Sequence, residues 1–197
     1  GRVRFATPML WALGFVVTFV IGGMTGVLLA VPPADFMLHN SLFLVAHFHN
    51  VIIGGVVFGA FAGITYWFPK AFGFRLHEGW GKVAFWLSLA GFVIVFTPMY
   101  WLGLEGMTRR LQHVDVASWQ PLLLVMVFGV AVMMAAAVAQ GAQLVISIRR
   151  RDSLRDHTGD PWQGRSLEWS TSSPPPAYNF AVLPDVHGEE PYWSIKE

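Results

Sequence analysis

Long stretches without acidic or basic side chains dominate the first three quarters of the chain. Four such stretches run over residues 5–34, 36–69, 83–104 and 116–148. A helix needs about 20 predominantly apolar residues to cross the hydrocarbon core of a bilayer, and each stretch reaches that length. The pattern predicts an all-α membrane protein with four transmembrane helices over about residues 8–31, 41–68, 83–104 and 119–148. After them, residues 149–197 become polar and rich in proline, which predicts an irregular tail.

Composition agrees with membrane insertion. The chain has 197 residues, of which 54% are hydrophobic and 13% charged, whereas soluble domains average about 25% charged residues. The net charge of +1 gives no indication of nucleic acid as a partner, and the absence of cysteine excludes disulfides and thiolate metal sites. Since the sequence opens on Gly1 rather than Met, we expect it to be part of a longer polypeptide.

Basic residues between the predicted spans give an orientation. They cluster before the first span, between the second and third, and after the fourth, at Arg4, Lys70, Arg75, Lys82, Arg149, Arg150, Arg151 and Arg155. With four crossings these regions share one side, which the positive-inside rule makes cytoplasmic. The tail is therefore expected to be cytoplasmic. Trp11 and Tyr100 lie towards span ends, where aromatic rings favour the membrane interface.

The second span contains the most informative residues. His47 and His49 lie inside it and His39 lies near its start, and ionisable side chains within a membrane helix mark function by default. At about 100° per residue, His47 and His49 are about 200° apart and face opposite sides of the helix. They cannot ligate one ion from a regular helix, but each can ligate a separate centre. The alternatives are two histidines that are merely hydrogen-bonded inside a bundle, or a histidine-relay proton transporter without haem.

The segment from His39 to Asn50, with its His-Phe-His core, resembles subunit I of the haem-copper terminal oxidases, and most closely that of the bo-type ubiquinol oxidases. The resemblance runs from about Pro8 to Trp193, and the four spans match helices nine to twelve of the twelve-helix core. It implies that His47 ligates the iron of a high-spin haem (o or a type) and His49 the iron of a low-spin haem (b type). Copper is also implied, but its ligands and the second ligand of the low-spin haem have no match in this sequence.

Polar residues outside the second span take roles from the same resemblance. Without the resemblance, the adjacent Arg109 and Arg110 suit either recognition of an anionic group or exposure to solvent. The resemblance implies that they contact the haem propionates. It also implies that Asp35 and His39 lie in the propionate region. Asn40 stands where the cytochrome c oxidases that this segment resembles have an aspartate that helps to bind magnesium, so we do not predict a magnesium site and leave open whether one exists near His39. The same substitution favours the quinol-oxidising branch.

The function implied is that of a proton-pumping respiratory terminal oxidase that oxidises ubiquinol and reduces oxygen to water. Its partners would be ubiquinol, oxygen, subunits II, III and IV and membrane lipid, in a bacterial inner membrane. The nearest alternative is subunit I of a cytochrome c oxidase. Four further histidines are expected to be solvated, namely His77, His113, His157 and His187.

Overall fold

The structure, a computed structural model, describes residues 3–186 and 188–196, and these residues are almost entirely helical up to residue 149. The helices are α1 (Thr7–Leu29), α2 (Pro32–Leu38), α3 (Leu42–His49), a π-helix (Asn50–Val57), α4 (Phe58–Phe72), α5 (Glu78–Leu104), α6 (Gln120–Arg149) and α7 (Pro191–Lys196). Short 3-10 turns cover Ala117–Trp119 and Leu167–Ser170. No β-strand occurs within the described ranges, where strand-like pairing is limited to two isolated bridges.

Four segments are long and apolar enough to cross a membrane, in agreement with the predicted fold class. They are Thr7–Leu29, Leu42–Phe72, Glu78–Leu104 and Ala117–Arg149. The third begins five residues before the predicted start at residue 83, because a capped and charged turn precedes the apolar run. In that turn His77 Nδ1 accepts the backbone N–H of Trp80 at 3.3 Å, and Glu78 pairs with Lys82 at 3.3 Å. His77 is therefore a helix cap rather than a freely solvated side chain.

The second span is continuous but changes its winding. Ser41 caps α3 by accepting the backbone N–H of Phe43 at 3.1 Å. Directly after His49 the helix widens into the π-helix, and it returns to α-helical geometry at Phe58. The span ends at Gly73, whose φ of 77° is left-handed and which therefore terminates the helix as glycine readily does.

Aromatic rings form the core between α1, α4 and α5. Trp11 has no exposed surface, and its ring lies 5.1 Å from that of Phe58 and 5.2 Å from that of Phe85. Edge-to-face pairs of this kind stabilise a packed core beyond the area that they bury. Trp11 therefore packs inside the bundle, near the start of α1.

The tail packs against the end of the second span. The Lys70 ammonium donates to the backbone carbonyls of Gly159 and Thr171, each at 2.8 Å, and lies 5.3 Å from the centre of the buried Trp169 ring. Trp162 Nε1 donates to the carbonyl of Tyr66 at 2.8 Å. The tail has little regular structure, as predicted, yet specific hydrogen bonds fix its position.

A second anchor of the tail is Asp156, which is 8% exposed. Its backbone N–H donates to the carbonyl of Gly73 at 2.9 Å, and its carboxylate accepts the N–H and the hydroxyl of Thr158 at 3.0 and 2.7 Å. Burial acts to raise the pKa of Asp156, but these hydrogen bonds and the nearby Lys70 ammonium outweigh it, and the pKa lies below its ordinary value. The carboxylate is therefore held in its charged form.

Candidate functional site

The His47 ring lies against α1, where the small residues of that helix leave room for it. A Cβ added to Gly26 would come within 2.7 Å of His47 Cε1. His47 Nδ1 lies 3.0 Å from the carbonyl oxygen of Gly22 and 3.0 Å from Thr25 Oγ1. The ring is half-buried and held at one nitrogen by a neighbouring helix.

These contacts fix which ring nitrogen of His47 is protonated. A carbonyl oxygen can only accept, so Nδ1 carries the hydrogen and donates it to Gly22. In a neutral imidazole the other nitrogen, Nε2, then has a free lone pair. A metal-ligating histidine characteristically donates its second ring nitrogen in this way, which fixes its tautomer and orientation.

The His49 ring uses the same arrangement on another side of the helix. Its Nδ1 donates to the carbonyl of Val45 at 2.8 Å. The ring stacks on Phe96 of α5, with centroids 4.9 Å apart and planes 22° apart. It also stacks on Phe48 at 4.5 Å. His49 thus faces α5 aromatics while His47 faces α1, as their spacing of two residues predicts.

The donor set fits haem iron on both sides of the second span. Across the described ranges, neither Nε2 has a hydrogen-bond partner. Two neutral imidazoles with unshared lone pairs, each oriented from behind by a carbonyl, are the ligands that haem iron commonly takes. Among residues 3–186 and 188–196, no three His, Cys, Asp or Glu side chains come together as a metal site.

The arginine loop is attached to the start of α3. Arg109 N–H donates to the carbonyl of Asn40 at 3.0 Å, and Leu42 N–H donates to that of Met107 at 2.9 Å. This short antiparallel pairing places Arg109 beside the residue that follows His39. Arg109 is half-buried and Arg110 exposed, and neither guanidinium has an acidic partner in the part of the chain that the structure describes.

Asp35 and His39 lie at the same end of the bundle. Asp35 is in α2, and its carbonyl accepts the N–H of His39 at 2.8 Å. The side-chain amide of Asn40 lies 2.9 Å from His39 Nε2, to which it donates. From this end, α3 rises about 9 Å over the six residues to His47. The polar residues singled out in the sequence therefore gather at one end of the helix that carries His47 and His49.

Sequence reasoning missed a polar network behind His47. Tyr100 OH lies 3.0 Å from Thr25 Oγ1 and 3.0 Å from Asn50 Nδ2. Asn50 is buried and also donates to the carbonyl of Ala46 at 3.0 Å. Tyr100 is thus directed into the bundle, near the end of α5. The signal in the sequence was the presence of three polar residues, Thr25, Asn50 and Tyr100, within otherwise apolar spans.

Of the remaining histidines, His113 and His157 are exposed, as expected for solvated side chains. His187 lies outside the described residues. Gln140 and Gln143, in the last span, hydrogen-bond to each other at 2.8 Å, and Gln143 also donates to the carbonyl of His77 at 3.3 Å. These glutamines join α6 to the start of α5.

Four helices long and apolar enough to cross a membrane, with two imidazoles on opposite sides of one of them, indicate a multi-pass membrane protein. Comparison with known proteins gives the family. The family described as "Cytochrome C and Quinol oxidase polypeptide I" matches residues 1–139, so the chain belongs to this family, subunit I of the haem-copper oxidases.

Relatives carry the names of both branches. The chain is 69% identical over 196 residues to the "Probable cytochrome c oxidase subunit 1" of Bradyrhizobium diazoefficiens, matching all of this chain and 29% of the relative. It is 60% identical over 198 residues to the "Cytochrome bo(3) ubiquinol oxidase subunit 1" of Buchnera aphidicola, and 57% identical over 199 residues to the "Ubiquinol oxidase subunit 1" of Acetobacter aceti. Both matches cover all of this chain and 30% of the relative.

A solved structure supports the fold. A cryo-EM structure described as a heme-copper terminal oxidase dimer superposes with a TM-score of 0.65 at 22% identity, over 72% of this chain and 26% of that one. The chain spans about 30% of the length of the curated relatives that it matches.

Proposed function

We propose that this chain supplies two haem-iron ligands to the catalytic subunit of a respiratory terminal oxidase, His47 to the high-spin haem and His49 to the low-spin haem. The observation that carries the proposal is the pair of Nδ1-to-carbonyl hydrogen bonds, at 3.0 Å for His47 and 2.8 Å for His49. Each leaves an Nε2 lone pair on a different side of one helix. The low-spin haem would be of b type and the high-spin haem of o or a type.

When bound, the haems and copper supply the electron transfer and oxygen chemistry that amino-acid side chains lack. The part of this chain is to bind and to orient. Nε2 of each histidine ligates iron, Nδ1 fixes the ring, and α3 holds the two sites at a fixed separation. Copper would be held by residues outside this chain.

The arginine pair would hold the haem carboxylates. Arg109 and Arg110 lie beside Asn40 and have no acidic partner within the described ranges. Forked guanidinium donors suit carboxylates, and Asp35 and His39 would border the same propionate region.

The electron donor is proposed to be ubiquinol. Asn40 and the resemblance to the bo-type branch favour it, as do the relatives named ubiquinol oxidase subunit 1. The alternative, reduced cytochrome c, is favoured by the 69% identical relative named probable cytochrome c oxidase subunit 1. Oxygen uptake by the full-length protein separates them. We expect ubiquinol, and not reduced cytochrome c, to drive oxygen uptake. Uptake supported only by reduced cytochrome c would overturn the proposed electron donor but would not affect the proposed haem ligands.

The assembled enzyme would pump protons across a bacterial inner membrane with subunits II, III and IV, its tail on the cytoplasmic side. The distribution of basic residues supports this orientation. This chain has no cysteine of its own, so in a full-length protein freed of any other cysteines a single introduced cysteine can report topology. In intact cells, an impermeant maleimide should label His113→Cys and spare Ser153→Cys. The reverse labelling would overturn the orientation.

A further inference from the structure

Tyr100 is linked to His47 through one side chain, Thr25. Thr25 Oγ1 lies 3.0 Å from Tyr100 OH, 3.0 Å from His47 Nδ1 and 2.8 Å from the carbonyl of Gly22. That carbonyl is also the acceptor for His47 Nδ1. The hydroxyl of Thr25 and the imidazole of His47 therefore share one acceptor.

The direction of each hydrogen bond follows from counting protons. Thr25 has one hydroxyl proton, which goes to the Gly22 carbonyl. Since Thr25 has no second proton to give, Tyr100 is the donor in the bond between the two hydroxyls, while its own oxygen accepts from the Asn50 amide. Thr25 Oγ1 then accepts from two donors, the hydroxyl of Tyr100 and the Nδ1–H of His47.

Tyr100 weakens the hydrogen bond that His47 Nδ1–H donates, and it does so in two ways. Thr25 Oγ1 has two lone pairs, and donation from Tyr100 to one of them makes the oxygen a poorer acceptor for Nδ1–H at the other. Hydrogen bonds in a chain also polarise one another, so donation from Tyr100 strengthens the bond from Thr25 to the Gly22 carbonyl. That carbonyl becomes a poorer acceptor for His47.

We propose that Tyr100 is a positioning residue for His47: through Thr25, its hydroxyl limits how strongly Nδ1–H is held and so limits the basicity of Nε2 towards iron. The inference rests on the proposed role of His47 as an iron ligand. A hydrogen-bond acceptor on Nδ1 raises the basicity of the ligating Nε2, so a hydroxyl that weakens this acceptor lowers that basicity. Tyr100 thereby keeps the reduction potential of the high-spin haem higher than it would otherwise be.

Tyr100→Phe in the full-length protein tests this, since it removes the hydroxyl and retains the ring that packs edge-on against Phe43 at 4.8 Å. The iron–histidine stretching band in the resonance Raman spectrum should shift to higher frequency, and the potential of the high-spin haem should fall. Tyr66→Phe is the matched control. It deletes a hydroxyl roughly 28 Å from His47 along the second span, so it should change neither the iron–histidine band nor the haem potential. An unchanged band, or a shift to lower frequency, in Tyr100→Phe would overturn the proposal.

Two further measurements locate the effect. Fluorotyrosine at position 100 makes the hydroxyl a stronger donor and should shift the band to lower frequency, with no loss of side-chain volume. In a Thr25→Val background, Tyr100→Phe should give no further shift, because the connection is already cut. Equal shifts in both backgrounds would overturn the route through Thr25.

His47→Ala separates failure of this inference from failure of the proposed function. It should abolish the iron–histidine band while the low-spin haem bands remain as evidence of assembly. A band that persists would refute His47 as the ligand, and with it the premise of the inference. If the band is lost in His47→Ala but unmoved in Tyr100→Phe, only the role of Tyr100 falls.

Discussion

At the scale of single residues, His47 and His49 are oriented by the same kind of hydrogen bond to different helices. Each donates Nδ1–H to a backbone carbonyl, but His47 reaches across to α1 and His49 reaches back to Val45 in its own helix. Because a backbone carbonyl can only accept, both rings carry a hydrogen on Nδ1. The aromatic stack of His49 on Phe96 further restricts its ring.

Neutralising the arginine pair should lower haem potential. Arg109→Gln or Arg110→Gln removes a positive charge near the proposed position of the propionates, and an interaction of about 1 kcal/mol corresponds to roughly 40 mV for one electron. A fall of tens of millivolts is expected in potentiometric titration of the full-length protein. Arg149→Gln, at the opposite end of the bundle, is the control. Unchanged potentials in both loop variants would mean that the pair is merely solvated.

Some of these features could be predicted from the sequence and others could not. The spans follow from charge-free length, and the opposed histidines from their spacing, because both are local properties of the chain. The bond between Thr25 and Tyr100 joins residues 75 positions apart, and that between Lys70 and Thr171 joins residues 101 apart. Local patterns carry no information on such pairings, so the sequence predicted neither the hydrogen bonds of Tyr100 nor the contacts of Lys70 with the tail.

At the scale of elements, α1 is shaped to admit the second span. At Gly54 an added Cβ would lie 2.5 Å from Thr18 Oγ1, and at Gly22 it would lie 2.9 Å from the Cβ of Asn50. Such close approach lets the carbonyl of Gly22 reach a side chain on the neighbouring helix. The hydrogen bond from His47 to α1 therefore depends on the close packing of the two helices as well as on the histidine itself.

Gly26→Ala should disturb the high-spin haem selectively. The new methyl group would lie 2.7 Å from His47 Cε1, and the ring cannot yield without breaking its bond to Gly22. We expect the carbon monoxide-sensitive signal to weaken while the low-spin bands remain. Gly23→Ala is the matched control, since a Cβ there meets nothing within 4 Å. Equal loss in both variants would point to general damage to α1.

Lys70 is the main anchor of the tail. Lys70→Met retains the aliphatic stem but removes the donor to the carbonyls of Gly159, Thr171 and Ser172, and hydrogen bonds from charged groups contribute about 1.5–3 kcal/mol each. Hydrogen exchange in the tail should become faster by at least tenfold. Lys82→Met is the control, because Lys82 pairs with Glu78 where both side chains are 44% exposed, and such pairs contribute about 0–1 kcal/mol. Unchanged protection in Lys70→Met would show that other contacts hold the tail.

At the scale of the whole molecule, the polar side chains singled out above lie in three places, at each end of an apolar bundle and in its middle. Arg109, Arg110, Asp35 and His39 gather at one end, while Lys70 and the tail close the other. Between them, the two imidazoles and the Thr25–Tyr100–Asn50 network lie among apolar helices. A haem on each side of one helix suits this arrangement, because its propionates can face the arginines while its ring stays among apolar side chains.

The most direct test of the two ligand assignments is a reduced-minus-oxidised spectrum of the full-length protein, with and without carbon monoxide, for wild type, His47→Ala and His49→Ala. Wild type should show low-spin bands and a carbon monoxide-sensitive band. His49→Ala should lose the low-spin bands alone, and His47→Ala the carbon monoxide-sensitive band alone. Low-spin bands that persist in His49→Ala, or a wild type without any haem signal, would contradict the assignment.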